Sequence, residues 1–398
     1  MPLLNATRAY ALFTFLSFTL VGVGIVLPAW MAFQVGGSRL VGWFLLASSL
    51  SGVALAPLAG HLVDRSNRNH MAMVGQAIRS LGMAVTAAAL FLPEVQASAA
   101  LVVAAAMGSF GFAVLSGSLS GILQELIPAG RRTSFVLRLS VARQVGIAFG
   151  TGIAGLAIHQ IGASPTAISF AVVGSACILL LRHMPTTTVA TGTSVRQGLL
   201  ASNLKALRYL IAHPACMIAA ITVGLAYSVV QVTNLLLPGF VARSLQGGSA
   251  LFGTLEMTAA IAGAVSVMVA STGRISRLLQ ERTLAVLATA GFALVAFSLT
   301  TTDWGAIVVY ALAGMLWSIS RALAHAYLLL VVDNAMIGRT QAFTTLITSA
   351  WGGLIFLLPT LAPAAREADL YFGCGVMILI CAITLSFWGS LPRSSQHL

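Results

Sequence analysis

Arg79, Arg143, Glu256 and Arg321 each stand inside a long run of apolar residues. A charge at the centre of a bilayer costs ~2.5–3.5 kcal/mol even on the lenient insertion scale, so it needs a partner, water or a ligand. Arg79 and Arg143 have no obvious acid to neutralise them in the first half of the chain. They suit recognition of an anionic group on a small molecule; bonds to backbone carbonyls, or snorkelling to the surface, are the plainer alternatives. Glu256, in "ALFGTLEMTAAIAGAV", is the one carboxylate well inside an apolar run. A carboxyl group shielded from water can exchange a proton near neutral pH, which suits a coupling site; a fixed ion pair or a neutral, hydrogen-bonded acid is the alternative. His325 follows Arg321 by four residues and shares its helix face, so it is a second titratable candidate. Tyr227, Gln231 and Asn234 follow i, i+4, i+7, and Trp317 lies four residues before Arg321. Polar faces avoid lipid, so these five side chains are candidate substrate contacts. The serines Ser109, Ser116 and Ser120 suit a helix seam instead.

One loop concentrates charge of another kind. "GHLVDRSNRN" (60–69) places Gly60, Asp64, Arg65 and Arg68 within ten residues. An acid there can meet the free N–H groups that open a helix. Arg65 and Arg68 can pair with an acid on the same rim, such as Glu125; Arg138 is another partner for Glu125.

The elements that carry these residues follow from composition. The chain has 398 residues, 58% hydrophobic and only 8% charged, with a mean hydropathy of +0.96. A soluble domain carries roughly 25% charged residues, so this chain belongs in a bilayer. Net charge is +12, but the arginines sit singly or in pairs between apolar runs, which speaks for orientation in the membrane and against nucleic acid. The 4 cysteines lie in apolar segments without metal spacing and read as small hydrophobes; no metal site is expected. The first apolar run is too long for a cleavable signal.

Twelve apolar runs fall near 9–33, 40–60, 70–92, 98–122, 134–158, 164–182, 213–241, 249–271, 283–300, 304–330, 341–363 and 370–391. The polar stretch after 184 divides them six and six. The expected domains are therefore 1–183, a cytoplasmic linker 184–212 whose end can form an amphipathic helix around Lys205 and Arg208, and 213–398. With both termini inside, the inner loops hold Arg65, Arg68, Arg131, Arg132, Arg274, Arg277 and Arg339 among others, and the outer loops only Arg39, Arg243 and Arg366. The positive-inside rule then gives an N-in, C-in topology. The halves repeat at an offset of about 210 residues: "LPAWMAFQVGGSRLVG" (27–42) matches "LPGFVARSLQGGSALFG" (237–253), Glu125 matches Asp333, and Gly60 falls opposite Gly273. Repeated six-helix halves with a site at their interface are a known transporter plan.

On these residues the chain resembles the major facilitator superfamily. Gly60, Asp64, Arg65 and Arg68 fit that family's loop pattern G-x-x-x-D-R-x-x-R-R, with Asn69 at a position usually basic. "GIAFGTGIAG" (146–155) is similar to its antiporter pattern, with Thr151 in place of Pro. The branch it most resembles holds the enterobactin-exporter-like and macrolide-efflux-like proteins, through "RSLG", "RQVGIAFGTGIAG" and "MIGRTQAF". One departure is the absence of an arginine from the fourth run, which proton-driven drug antiporters usually carry there.

The resemblance implies an all-α membrane protein of two pseudo-symmetric six-helix bundles, with the charged loop, including Glu125, as a conformational latch. It implies a secondary transporter that exports a small organic molecule, siderophore-like, drug-like or partly anionic, by proton antiport. An importer of an organic anion or nutrient is the alternative, and a lipid-handling protein or membrane enzyme a remote one. No ATP-binding or catalytic motif is present, so the expectation is a non-enzyme without cofactor, driven by a proton gradient. It would work as a monomer in the bacterial inner membrane.

Overall fold

The computed structural model describes residues 2–184, 199–270, 282–333 and 336–390. Within them every regular element is helical. Helix α1 is Pro2–Ala54, α2 Ala56–Arg65, α3 Arg68–Ala89, α4 Glu94–Leu126, α5 Ala129–Ile161 and α6 Ala163–Leu181. They are followed by α7 Leu199–Ala212, α8 Pro214–Gly239 and α9 Ser249–Ala270. The last are α10 Thr283–Ser298, α11 Asp303–Val331, α12 Ile337–Phe356, α13 Leu358–Leu361 and α14 Glu367–Ser390. Each of the twelve apolar runs falls mainly on helix where it is described. Among the described residues, nine helices are long and apolar enough to cross a membrane. One of them, α1, carries the first two runs. The two runs outside these nine helices are α3, diluted by Arg68, Asn69, Gln76 and Arg79, and α10, with 16 residues. The basic loop that holds Gly273, Arg274 and Arg277, and the linker residues 185–198, lie outside the described residues.

Local chemistry sets the helix ends. Asn67 caps α3 by accepting from the N–H groups of Asn69 and His70. Thr302 caps α11 through Gly305 N–H, with Asp303 in the first turn facing the dipole. Arg132 closes the other end of α4, donating to the carbonyls of Gln124 and Ile127, which are orphan acceptors of a last turn. Its charge thus has a structural use besides orientation.

The chain forms two compact units. The first takes the described residues of Met1–Ser194 together with Leu237–Ile261 and Phe356–Pro363; the second takes those of Val195–Leu236, Ala262–Ile355 and Ala364–Leu398. Parts of α8 and α9, the last residue of α12 and all of α13 thus group with the first half.

In the first unit α1 packs on α4, α5 and α6, and α3 on α4 and α6. Near the arginine-rich end the core gathers Tyr10, Phe13, Leu119, Ile122 and Leu181. The Tyr10 hydroxyl, in this apolar setting, donates to the Leu119 carbonyl at 3.0 Å. Glycine lets backbones touch. A Cβ at Gly146 would lie 2.7 Å from the Phe15 carbonyl oxygen, and Gly150 presses on the Thr19 carbonyl, so α5 is tight against α1. On the other flank of α5, a Cβ at Gly155 would be 2.7 Å from the Cα of Gly253 on α9. The antiporter-like pattern is thus a two-sided contact strip. At Thr151 the hydroxyl bonds back to the Ala148 carbonyl at 2.9 Å.

The repeated segments meet in this unit. Helix α1 is broken at Gly36 and Gly37, where Gly37 adopts φ 62, ψ −166, a region open almost only to glycine. In the second copy Gln246 adopts φ 54 after a π turn at Phe240–Ser244. Arg243 lies 5.2 Å over the Phe33 ring, and Trp30 stacks on Phe252 at 5.8 Å.

In the second unit α10 packs on α11 and α14, through the close approach of Gly291 and Gly375. Trp317, Tyr310, Phe297 and Tyr371 form a continuous aromatic row.

Gly37→Ala should cost ~1–3 kcal/mol, because an L side chain cannot take that backbone and its Cβ would crowd Arg243. Thermal unfolding of the purified protein should show a lowered Tm. Gly60→Ala, where a Cβ meets nothing, should leave Tm unchanged; equal losses would refute the backbone argument.

Candidate functional site

The charged loop is built around one ion pair. Arg68 Nη1 lies 2.6 Å from Glu125 Oε1. Gly121, one turn before Glu125, makes room: a Cβ there would sit 2.5 Å from Arg68 Cδ. Glu125 therefore pairs with Arg68 rather than with Arg138, which is exposed. Asn69, at the usually basic position, is buried and ties α3 to the end of α6 through the Met184 carbonyl at 3.3 Å. Gly60, Asp64 and Arg65 are exposed on α2. The cap that the sequence suggested for Asp64 is made at α3 by Asn67 instead. Exposed ion pairs are worth ~0.2–1 kcal/mol, so the Arg68–Glu125 pair can open at little cost.

Two cations sit midway along helices of the first unit, and they differ. Arg79 is locked. Its guanidinium donates to Ser17 Oγ at 2.8 Å, to Gln76 Oε1 at 3.1 Å and to the Ser17 carbonyl at 3.3 Å. Gln76 is fixed in turn by the Gly174 carbonyl at 3.0 Å. Arg143, half-buried on α5, has no hydrogen-bond partner among the described residues, and its Nε is buried. It rests instead on an aromatic face: its Cζ is 5.1 Å from the centre of the Phe18 ring. Phe18 meets Phe112 edge to face at 6.2 Å, and Arg79 lies 5.7 Å over Phe112. Cation–π contacts hold such charges in an apolar setting while leaving the donors of Arg143 unused.

In the second unit Arg321 lies 5.6 Å over the Tyr227 ring, and the Tyr227 hydroxyl shares a 3.2 Å hydrogen bond with His325 Nε2. The structure thus joins three of the candidates from α8 and α11. Gln231 donates to the Thr348 carbonyl at 3.1 Å, while its Oε1 is buried without a partner among the described residues. Asn234 is half-buried. Trp317 is buried against Tyr310 and serves the aromatic row. Glu256, half-buried on α9, belongs to the first unit, whereas the Arg321 group belongs to the second.

Sequence reasoning missed several residues. Gln76 stands three before Arg79, a helical spacing that could have flagged it; Ser17 comes from another helix and carries no signal. Glu367, in the first turn of α14, is 2% exposed. Tyr209 of α7 donates to Asp333 Oδ2 at 3.0 Å and accepts from the Asp333 N–H at 3.2 Å. That N–H favours the phenolate, but burial and the bonds to the Asp333 carboxylate and Cys216 outweigh it, so the phenol titrates above its ordinary range.

Apolar helices of spanning length, with charge lodged among them, define a multi-pass membrane protein. Its sequence matches the model of the Major Facilitator Superfamily over residues 9–357. The chain belongs to that family, and is a transporter rather than an enzyme. Its fold is similar to the nucleoside transporter NupG, at 14% identity and a TM-score of 0.71, covering 98% of this chain and 100% of that one. It is also similar to a POT family transporter in complex with a thioalcohol-conjugated peptide, at 11% identity and a TM-score of 0.69, covering 96% of each chain. A third similar structure is an auto-inhibited POT family peptide transporter, at 13% identity and a TM-score of 0.68, covering 99% of this chain and 97% of that one. A comparison with curated protein sequences finds no match.

The contrast between the arginines predicts opposite stability effects. Arg79→Ala strands Gln76 Oε1 in the interior, and an unsatisfied buried group costs ~1–3 kcal/mol. Arg143→Ala removes no hydrogen bond and should shift stability much less. Thermal melts of both variants in one detergent decide the matter; a larger loss for Arg143→Ala would reverse the assignment.

Proposed function

We propose that this protein is a proton-driven antiporter that exports a small, partly anionic organic molecule. It crosses the bacterial inner membrane twelve times, with both termini in the cytoplasm, and works as a monomer of two six-helix bundles (1–183 and 213–398) that alternate around a central site. The observation that carries the reading is Arg143, a membrane-embedded guanidinium whose hydrogen-bond donors are unused among the described residues. Its planar fork matches a carboxylate or similar two-oxygen anion, and the Phe18 face gives an organic ligand an apolar wall. The Arg321–Tyr227–His325 group and Gln231 are proposed as further polar contacts for substrate.

Export is supported by the antiporter-like strip 146–155 and by the likeness to the enterobactin-exporter-like and macrolide-efflux-like branch. Glu256 is the proposed proton carrier, with His325 as the second candidate, and the energy source is the proton gradient alone. The weak Arg68–Glu125 pair, together with Gly60, Asp64 and Arg65, is proposed as the latch that opens and closes once per cycle.

In reconstituted vesicles, Arg143→Ala should weaken binding of anionic substrates tenfold or more, as expected for ~1.5–3 kcal/mol in a charge-assisted hydrogen bond, and leave neutral ones nearly unchanged. Glu256→Gln should abolish proton-driven uphill flux but retain substrate exchange. Normal uphill flux in that variant would remove Glu256 from coupling. Gene deletion settles direction: an exporter's loss raises cellular retention of substrate, whereas failed growth on a nutrient would favour import.

A further inference from the structure

We propose that α7 is an interfacial helix that binds anionic phospholipid headgroups on the leaflet where α8 begins. The two faces of α7 differ. Ala206 and Leu210, four apart, are fully buried. Leu204, Arg208 and Ile211 lie at i, i+4, i+7 on the opposite face and are all exposed, Leu204 by 48% and Ile211 by 65%. Lys205 is exposed beside them. The exposed stripe is about 10 Å long at 1.5 Å per residue. It offers two large apolar side chains flanked by two cations, and α7 contains no acid. Water satisfies only half of that chemistry. The boundary of an anionic bilayer satisfies both halves, taking the leucine and isoleucine among acyl chains and the lysine and arginine among phosphates.

Position fixes the occupant. Only His213 separates α7 from Pro214, where a membrane-spanning helix starts. The helix therefore cannot leave the level of the membrane surface. It is also stapled there. Tyr209 exchanges two hydrogen bonds with Asp333, just past the end of α11, and Cys216 Sγ donates to the Val331 carbonyl at 3.2 Å. Asp333, the acid beside α7, is engaged by Tyr209, so the cationic face is left for headgroups. Because α11 also carries Arg321 and His325, lipid pull on α7 is mechanically linked through Tyr209 to the helix that holds those groups.

The test uses the full-length protein with Cys381→Ser, the other three cysteines being buried, and a nitroxide spin label on Ile211→Cys or Leu204→Cys. The protein is placed in phosphatidylcholine vesicles with or without phosphatidylglycerol. Both labels should become accessible to oxygen and shielded from a water-soluble nickel chelate when phosphatidylglycerol is present. Lys205→Gln/Arg208→Gln should remove that response to lipid charge, with the thermal melt confirming an intact fold. Labels that stay nickel-accessible in both lipids overturn the proposal. So does shielding that ignores lipid charge or survives the double variant. Shielding that instead rises with protein concentration indicates a second copy on this face and also overturns it.

Discussion

Helix α5 can occupy its place only because glycine lines both of its flanks. Gly146 and Gly150 admit the backbone of α1, and Gly155 admits that of α9. In hydrocarbon there is little hydrophobic gain from bringing helices together, so association rests on close van der Waals contact, and small residues make that possible. The consequence reaches the charges. The same crossing sets Phe18 of α1 under the guanidinium of Arg143. A bulkier strip would push α5 outward and leave that cation with neither ring nor water. Packing and candidate chemistry are therefore one arrangement.

The membrane also sorts the embedded cations by what their neighbours offer. Arg79 has found three acceptors, all on α1 or its own helix, and the network closes through Gln76 to α6. It behaves as a polar tie between helices. Among the described residues Arg143 is held by a ring, without a hydrogen bond. Quadrupole attraction keeps a cation in place without consuming its donors, which is what a binding group requires. In the second unit Arg321 is held in the same way over Tyr227, while the hydroxyl of that tyrosine turns to His325.

How much of this was legible beforehand depends on the kind of signal. The twelve runs could be read because spanning segments must be apolar for their whole length, and the helices follow them. The loop between α2 and α3 was legible in composition, and its Arg68–Glu125 pair was among the pairings that charge allowed. The alternative with Arg138 could not be dismissed without knowing that Gly121 clears a path for the Arg68 stem. Arg79 and Arg143 looked equivalent in sequence. What separates them is Ser17 and Gly174, which come from other helices and leave no spacing to detect. Trp317 matched a polar stripe but serves an aromatic row, because burial and not periodicity decides which neighbour a large ring meets. The GGS at Gly36-Gly37 was legible as a repeat between the halves, though not as a break within one helix. The use of Gln246 in a left-handed conformation at the second copy was not.

The contact of Arg243 with Phe33 has a further meaning. The two segments align with Leu27-Pro28 on Leu237-Pro238, and in that register Phe33 and Arg243 are the same position of the two copies. In a twofold dimer, a residue on the rotation axis meets its own duplicate. Here two matched positions meet within a single chain, where one copy can change without the other. An aromatic ring facing an aromatic ring, or a cation facing a cation, was the only choice open to two identical subunits at this spot. Joining the two copies in one chain allows unlike partners at a matched position, so an attraction stands where identical copies would have placed either a repeat or a repulsion.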